Sequence, residues 1–251
     1  MTIDFWDCNC CIGSPMRAVY KPAPTASDLV QAMDLAGIGK ALVWHVAQFD
    51  LCAQDGNALT AQAVAERDRL LGCWAILPPV TGEIEIEGFF DRMKANRIAA
   101  LRAFPEQHRF LLNRVVLGPF LDEVAQRRIP LLFSIERGTN WPAVYALLQD
   151  FPNLACVLCD IGTWGQDRHT WPLLDLYNNV YVETSYLGLE AGGIAATVNR
   201  FGADRLLFGT GFPLRYPEAS MLPLLHADMS DEDKYKIGGQ NLNRLIQEAR
   251  L

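Results

Sequence analysis

Short apolar runs alternate along the chain with longer amphipathic stretches. The apolar runs are four to eight residues long and β-prone, which is typical of buried strands. The intervening segments carry apolar residues at helical spacing, so the predicted order is strand, then helix, repeated. The eight predicted strands cover residues 3–8, 40–46, 72–77, 98–103, 129–134, 154–159, 180–184 and 205–208.

Caps and breakers predict where several helices begin and end. Thr25 or Ser27 caps the first helix, which ends before Gly37 and Gly39. The tail is predicted to form two short helices separated by two consecutive glycines. Further helices are predicted over residues 57–70, 84–95, 118–127, 141–150 and 192–201.

A helical segment between consecutive strands makes those strands parallel neighbours joined by crossovers. The length of 251 residues matches one (β/α)8 barrel. We expect a single barrel domain over residues 1–251, with a doubly wound open sheet as the alternative. No Gly-x-Gly-x-x-Gly motif follows the first strand, so a dinucleotide-binding fold gains no support.

Charge and cysteine content restrict the partners. The net charge is -7 and the basic residues are scattered, which argues against nucleic acid and anionic membranes. No apolar stretch approaches membrane-spanning length, and the first residues lack the regions of a signal peptide, so we expect a cytoplasmic protein. The seven cysteines, an odd number, are expected to be reduced.

Polar residues follow the predicted strands at the end where such a barrel carries its active site. A purely structural barrel would not require so many, which favours a binding or catalytic site. The candidates are Asn9 and Cys11 after the first strand, His45 after the second, Arg102 and His108 after the fourth, Ser134 and Glu136 after the fifth, Asp160 and Trp164 after the sixth, Glu183 after the seventh and Arg215 after the eighth.

Each candidate also has an ordinary interpretation. A buried arginine at position 102 requires an anion, which is either a substrate carboxylate or the side chain of Glu136 or Asp160. Asp160 and Glu183 follow adjacent strands, where neighbouring carboxylates suit acid–base catalysis, although two salt bridges are the alternative.

The remaining candidates divide in the same way. Cys11 is either a nucleophile or a packed thiol. His45 is either a site residue or an ordinary packed histidine. His108 is either a site residue or a solvated loop residue. Trp164 is either pocket lining or an ordinary packed tryptophan.

Several segments resemble the amidohydrolase-2 family of metal-dependent hydrolase barrels. The opening DCNCCIG resembles the family's Asp-x-His-x-His-x-Gly, and VLCDIGTW resembles its Val-x-x-His-x-Gly. The same holds for IPLLFS, NNVYVETSY, FGADRLLFGTGFPL and the closing IGGQNLNRL. The resemblance covers essentially the whole chain and implies an amidohydrolase-like (β/α)8 barrel.

The resemblance also implies which positions would ligate a metal ion. At those positions this chain carries Asn9, Cys11, Ser134, Asp160 and Gly211. Glycine cannot ligate a metal, and serine and asparagine are poor ligands for zinc. We therefore expect no cofactor. The alternative is zinc bound by Cys11 and Asp160, with His45 or Glu136 as a third ligand.

The sequence predicts a hydrolase that acts on a small carboxylated ester, lactone or amide. Asp160 would be the general base, Arg102 the carboxylate clamp, and Asn9 and Ser134 the donors to the oxyanion. Two alternatives stay open. One is a metal-dependent decarboxylase-type lyase, as found among members of the family, and the other is a catalytically silent barrel that binds a ligand or a partner subunit. A homodimer is also expected.

Overall fold

Eight parallel strands lie side by side in sequence order in the computed structural model, which describes residues 3–19, 21–65, 67–190 and 192–251. Backbone hydrogen bonds of 2.9 Å from Cys8 N to Phe208 O and from Cys11 N to Phe212 O close the first strand onto the last. The predicted (β/α)8 barrel is therefore confirmed. The strands are β1 Phe5–Ile12, β2 Ile38–His45, β3 Leu70–Ala75, β4 Ile98–Arg102, β5 Leu131–Ser134, β6 Cys156–Cys159, β7 Val180–Glu183 and β8 Leu206–Leu207.

Helices surround the strands. Thr25 is the N-cap of the first helix, because its side chain accepts a hydrogen bond from Asp28 N while Asp28 accepts one from Thr25 N. Three helices, over 47–50, 167–176 and 217–225, were not predicted. The helices are α1 Ala26–Ala36, α2 Ala47–Asp50, α3 Ala53–Val64, α4 Phe89–Ala95, α5 Arg114–Gln126, α6 Trp141–Asp150, α7 Asp167–Leu176, α8 Gly193–Phe201, α9 Pro217–Leu225, α10 Asp231–Tyr235 and α11 Asn241–Glu248.

The tail differs from its prediction at Gly238 and Gly239. These glycines do not separate two helices but lie in a wide helical turn that joins α10 to α11. A Cβ at Gly238 would meet the Ile3 side chain, and one at Gly239 would meet the carbonyl oxygen of Asp4. The glycines therefore allow the tail to approach β1 closely.

The first strand does not alternate strictly. Its pairing with β2 shifts register between Asp7 and Cys10. Cys8 and Cys11 consequently belong to the apolar cluster inside the barrel, whereas Cys10 packs in the outer layer. Strict alternation would place Cys8 and Cys10 on the same face of the strand. All seven cysteines are free thiols.

Among the described residues, no helix is both long enough and apolar enough to cross a membrane. The cytoplasmic location and the homodimer stay predictions.

Candidate active site

Asp160 lies at the centre of a buried polar cluster at the C-terminal ends of the strands. Its Oδ1 accepts hydrogen bonds from Asn9 Nδ2 (3.2 Å) and Arg215 Nη2 (2.6 Å). Its Oδ2 accepts from Ser134 Oγ (2.6 Å) and Arg137 Nη2 (3.0 Å). Burial would raise the pKa of this carboxyl, but the two guanidinium charges and the serine hydroxyl hold the pKa well below its usual range. Asp160 is therefore ionised at neutral pH.

Asn9 connects Asp160 to a second carboxylate and to a buried arginine. Its Nδ2 lies 3.5 Å from Glu183 Oε2, and its Oδ1 accepts a hydrogen bond of 2.8 Å from Arg102 Nη2. Glu183 is completely buried, and burial raises its pKa although the charge of Arg215 opposes the rise. Two neighbouring carboxyls thus have pKa values shifted in opposite directions.

The Arg102 side chain lies inside the barrel and is completely buried. Its guanidinium carbon is 4.9 Å from the centroid of the Trp44 ring. Its Nε and Nη1 have no hydrogen-bond partner within the described part of the chain. Each such buried donor costs about 1–3 kcal/mol, and more when it is charged. Neither Glu136 nor Asp160 makes the predicted direct salt bridge with it, so two donor groups of the guanidinium stay available for a further acceptor.

Arg137 is a site residue that the sequence analysis missed. It follows β5 in a tight turn, with its backbone N–H donating to Ser134 O (3.2 Å). Its neighbour Glu136 was the predicted site residue, but Glu136 is exposed and accepts a hydrogen bond from Tyr186. The available signal was that Arg137 lies three residues beyond the end of β5. The local sequence does not show whether the side chain of Glu136 or that of Arg137 points into the barrel.

Ser185 and Thr210 complete the cluster. Ser185 donates to Glu183 Oε2 (2.8 Å) and accepts from Arg215 Nη2 (2.9 Å). Thr210 donates through its hydroxyl (2.5 Å) and its backbone N–H (3.0 Å) to the buried carboxylate of Asp7. The two hydrogen bonds from Thr210 to Asp7 connect the segment after the last strand to the first strand. They therefore fix the positions of the neighbouring site residues.

The Cys11 thiol lies among these charges but stays protonated. Burial raises its pKa to about 11, although the charges of Arg137 and Arg102 act in the opposite direction. A thiol with that pKa is mostly un-ionised at neutral pH and is a weak nucleophile. The structure therefore does not support a nucleophilic Cys11.

His45 and His108 lie outside the cluster. His45 extends from the opposite face of β2 to Trp44 and lies in a crevice lined by Ile12 and Pro24, where its Nδ1 accepts from Ala47 N (3.1 Å). The Nε2 of His108 is 2.8 Å from Gln48 O. Neither histidine forms a hydrogen bond to Asp160, Arg102 or Glu183 in the described structure.

Trp164 does not line the site, because it is 78% exposed on the loop after β6. The roles predicted for Asn9 and Ser134 also change. Ser134 has one hydroxyl hydrogen, and it is donated to Asp160. The amide hydrogens of Asn9 face Asp160 and Glu183. Neither residue has a donor left for an oxyanion, so the partly exposed guanidinium groups of Arg137 and Arg215 are the better donors.

Gly211 is packed against Arg215. It has φ +66, and an added Cβ would overlap Arg215 Nη2. Gly211→Ala should therefore lower the free energy of unfolding by about 2–4 kcal/mol, because a left-handed strain of about 1–2 kcal/mol adds to the displacement of the guanidinium. Urea unfolding measures this change.

Gly37→Ala is the matched control for Gly211→Ala. Gly37 has φ +75 with no atom near an added Cβ, so only the strain should appear. In an Arg215→Ala background the cost of Gly211→Ala should fall to the control value. An unchanged cost in that background would contradict the packing described for Gly211.

Solved structures with the same fold include two decarboxylases and a probable hydrolase. A dihydroxybenzoic acid decarboxylase from Polaromonas sp. JS666, with bound manganese and 2-nitroresorcinol, gives a TM-score of 0.75 at 16% identity, over 98% of this chain and 97% of that chain. A 5-carboxyvanillate decarboxylase from Novosphingobium aromaticivorans DSM 12444, complexed with manganese and 4-hydroxy-3-methoxy-5-nitrobenzoic acid, gives 0.70 at 13%, over 97% and 96%. A probable 2-pyrone-4,6-dicarboxylic acid hydrolase from Acinetobacter baumannii, with citric acid bound, gives 0.73 at 14%, over 98% and 100%. At these identities the likeness shows the fold.

The expectation that no cofactor is needed was wrong, because manganese-bound structures of this fold point to a divalent metal ion. The residues present nevertheless do not fit such an ion. Within the described ranges, no group of three or more His, Cys, Asp or Glu side chains could hold one. Both oxygens of Asp160 already bind guanidinium groups, and Arg215 fills the space beside Gly211.

No curated protein matches the chain. The Amidohydrolase family model matches residues 13–246, which is most of the sequence. The match begins directly after β1 and extends into the last helix, so it includes the cluster residues from Arg102 onward but not Asn9 and Cys11 on β1. The chain therefore belongs to the amidohydrolase family.

Proposed function

We propose that the protein is an enzyme that hydrolyses a small carboxylated ester, lactone or amide at the C-terminal end of the barrel. The observation that carries this proposal is the pair Asp160 and Glu183. Both carboxyls contact the same Asn9 amide, yet the pKa of one is lowered and that of the other raised. Such a separation supplies a fixed anion and a group that exchanges protons, which a silent binding protein does not need.

Glu183 is the proposed general base. In its ionised form it would accept a proton from the attacking water, while the new C–O bond forms at the acyl carbon and the carbonyl electron pair moves to oxygen. Arg137 and Arg215 would stabilise that oxyanion. The proton then passes from Glu183 to the leaving oxygen or nitrogen as the acyl bond breaks. Asp160, which was predicted as the base, instead keeps the two guanidinium groups in position.

Arg102 is the proposed clamp for the substrate carboxylate. Its unpartnered Nε and Nη1 are charged donors that a carboxylate satisfies. Because Arg102 is completely buried while Arg137 and Arg215 are partly exposed, a ligand would pass these two side chains to reach it. The carboxylate would then offset the charge of Arg102, which has no direct carboxylate partner among the described residues of the cluster.

Decarboxylation is the second candidate, and the two decarboxylases of the same fold favour it. In that reaction the bond to the carboxylate carbon breaks, carbon dioxide leaves, and the remaining carbon takes a proton. Glu183 with its raised pKa, or the protonated Cys11 thiol, would supply that proton. A silent barrel that binds a ligand or a partner is the third candidate.

A reaction screen separates the three. The purified protein is incubated with a panel of lactones, esters and amides that each carry one carboxylate, and with hydroxybenzoic acids, and the products are followed by mass spectrometry. Hydrolysis adds one water, about 18 mass units, to a lactone, and it splits an ester or amide into two fragments. Decarboxylation removes one carbon dioxide, about 44 mass units, from an acid. Binding without product on every class would contradict the enzyme proposal.

Glu183→Gln should lower kcat on any substrate found by about 10²–10⁴-fold, because the group that exchanges the proton is lost. As a general base, Glu183 makes the wild-type rate fall as the pH drops through its raised pKa. As a general acid in decarboxylation, it makes the rate fall as the pH rises through the same pKa. The pH–rate profile therefore also distinguishes the two reactions.

Glu106→Gln is the control, because Glu106 is an exposed glutamate that accepts a hydrogen bond from Asn140. It should keep kcat within about threefold of the wild-type value. A Glu183→Gln variant with wild-type kcat and an unchanged pH profile would contradict the assignment of Glu183.

A further inference from the structure

We propose that Arg137 and Arg215 form a second anion subsite at the rim of the barrel, so that the preferred substrate carries two negatively charged groups. This inference rests on the proposed function, in which Arg102 binds the first carboxylate. It extends the oxyanion role of Arg137 and Arg215, each of which contacts Asp160 through Nη2 alone and has further guanidinium N–H groups. It also names the substrate class more closely as a dianion, such as a compact molecule with two carboxylates.

The position of the two guanidinium groups supports the subsite. Arg137 and Arg215 bind different oxygens of the same Asp160 carboxylate, and each does so through its Nη2 alone. Their side chains are 17% and 18% exposed. A molecule that arrives from solvent therefore meets both guanidinium groups before it reaches Arg102, which is completely buried.

The charge balance at the rim also favours an anion. Arg137 and Arg215 share one carboxylate as their direct partner. The hydrogen bonds to the side chain of Glu183 come from Ser185, Asn9 and the backbone N–H of Asp160, and none comes from the two rim arginines. The pair therefore carries one positive charge more than the one carboxylate in direct contact offsets. Glu183 acts on Arg215 only at longer range, so a second anion in direct contact would lower the repulsion between the two cations.

Aromatic rings restrict the orientation of both guanidinium groups. The guanidinium carbon of Arg137 is 5.4 Å from the centroid of Trp44, and that of Arg215 is 4.5 Å from the centroid of Tyr186. Arg215 is further restrained by its Nε–H, which donates to Thr210 O (3.1 Å). Donors that are already oriented lose less freedom when they bind an anion, so the rim is prepared for one.

The two subsites are close to each other. Arg102 reaches Asp160 through the single side chain of Asn9, and Trp44 contacts both Arg102 and Arg137. A substrate whose two charged groups are separated by a few atoms or by one ring would span them. The Trp44 ring beside both guanidinium groups suits a flat linker.

Isothermal titration with three probes tests the inference. Isophthalate and 3-carbamoylbenzoate have the same ring and substitution, and only the first carries a second charge, while benzoate lacks the second group. Wild-type protein should bind isophthalate about tenfold or more tightly than 3-carbamoylbenzoate, as expected for an added charge-assisted contact. Equal affinities would overturn the second subsite but leave the binding of one carboxylate intact.

Arg137→Gln should remove the preference for isophthalate while the affinity for benzoate stays within about threefold of the wild-type value. Arg137→Lys keeps the charge and should retain part of the preference, and it serves as the second variant if the glutamine variant unfolds. A preference that survives Arg137→Gln in folded protein overturns the inference. If no probe binds the wild-type protein, the carboxylate clamp itself is wrong, and the proposed function fails together with the subsite.

Discussion

Asp160→Asn should lower the melting temperature by roughly 6–20 °C. Asp160 is the only direct carboxylate partner of Arg137 and Arg215 within the described part of the chain. Removing one member of a buried ion pair costs about 3–5 kcal/mol because the partner charges stay behind unpaired. In a chain of this size each kcal/mol corresponds to about 2–4 °C. Differential scanning calorimetry at neutral pH measures the change.

The sign of the pH dependence follows from the lowered pKa of Asp160. A carboxyl whose pKa is lower in the folded state than in the unfolded state stabilises the fold at any pH above the unfolded value. That stabilisation fades as the pH falls below about 4, the ordinary value for aspartate. The difference between wild type and Asp160→Asn should therefore be full at neutral pH and shrink in acid.

Asp122→Asn is the control for this experiment. Asp122 makes a two-bond ion pair with Arg114, but both side chains are exposed. Exposed pairs contribute about 0–1 kcal/mol, so this variant should change the melting temperature by no more than about 4 °C. Equal changes in the two variants would mean that the cluster around Asp160 is not desolvated as described.

Arg102→Met should strongly lower kcat/KM for carboxylated substrates without unfolding the protein. Losing a buried charged donor to a carboxylate costs about 2–5 kcal/mol, or roughly 30- to 5,000-fold in kcat/KM. The melting temperature should stay the same or rise, because an apolar side chain of similar length replaces a buried charge with two unpartnered donors. Stability is thus expected to rise where function is lost.

Arg128→Met provides the comparison for Arg102→Met. Arg128 precedes β5, at the other end of the barrel, and pairs with Glu248 at the surface. This variant should keep the wild-type kcat/KM. If Arg102→Met instead lowers the melting temperature by about 10 °C or more, a loss of about 3 kcal/mol or more, then the role of Arg102 is to stabilise the fold and not to bind a ligand.

The barrel could be predicted because its signal is repetitive. Each strand is a run of apolar residues buried on both faces, and each helix shows apolar residues at helical spacing. An error of about two residues at a boundary therefore does not change the order of the elements. The tail could not be predicted, because two glycines that usually end a helix were needed for contact with Ile3 and Asp4. Only the folded chain brings those residues together.

Sequence reasoning reached the buried cluster where one residue ends a strand, and it missed a member where two neighbours compete. Arg102 and Asp160 follow directly from the rule that strand ends carry the site. His45 lies outside the cluster because Trp44, one residue earlier, takes the face of β2 that points into the barrel. Arg137 was missed in favour of Glu136 for the same reason. A single register step decides such cases, and local sequence does not encode it.

The buried guanidinium of Arg102 is expected to bind the carboxylate of a ligand, and nuclear magnetic resonance of the arginine Nε–H groups detects that contact. Uniformly ¹⁵N-labelled protein is titrated with benzoate and, separately, with uncharged benzamide, and the Arg102 signal is identified by its absence from the spectrum of Arg102→Lys. Benzoate should move the Arg102 Nε–H proton downfield, as for a new hydrogen bond to a carboxylate, and benzamide should leave it in place. If benzoate binds but neither compound moves the Arg102 signal, then Arg102 does not bind the carboxylate.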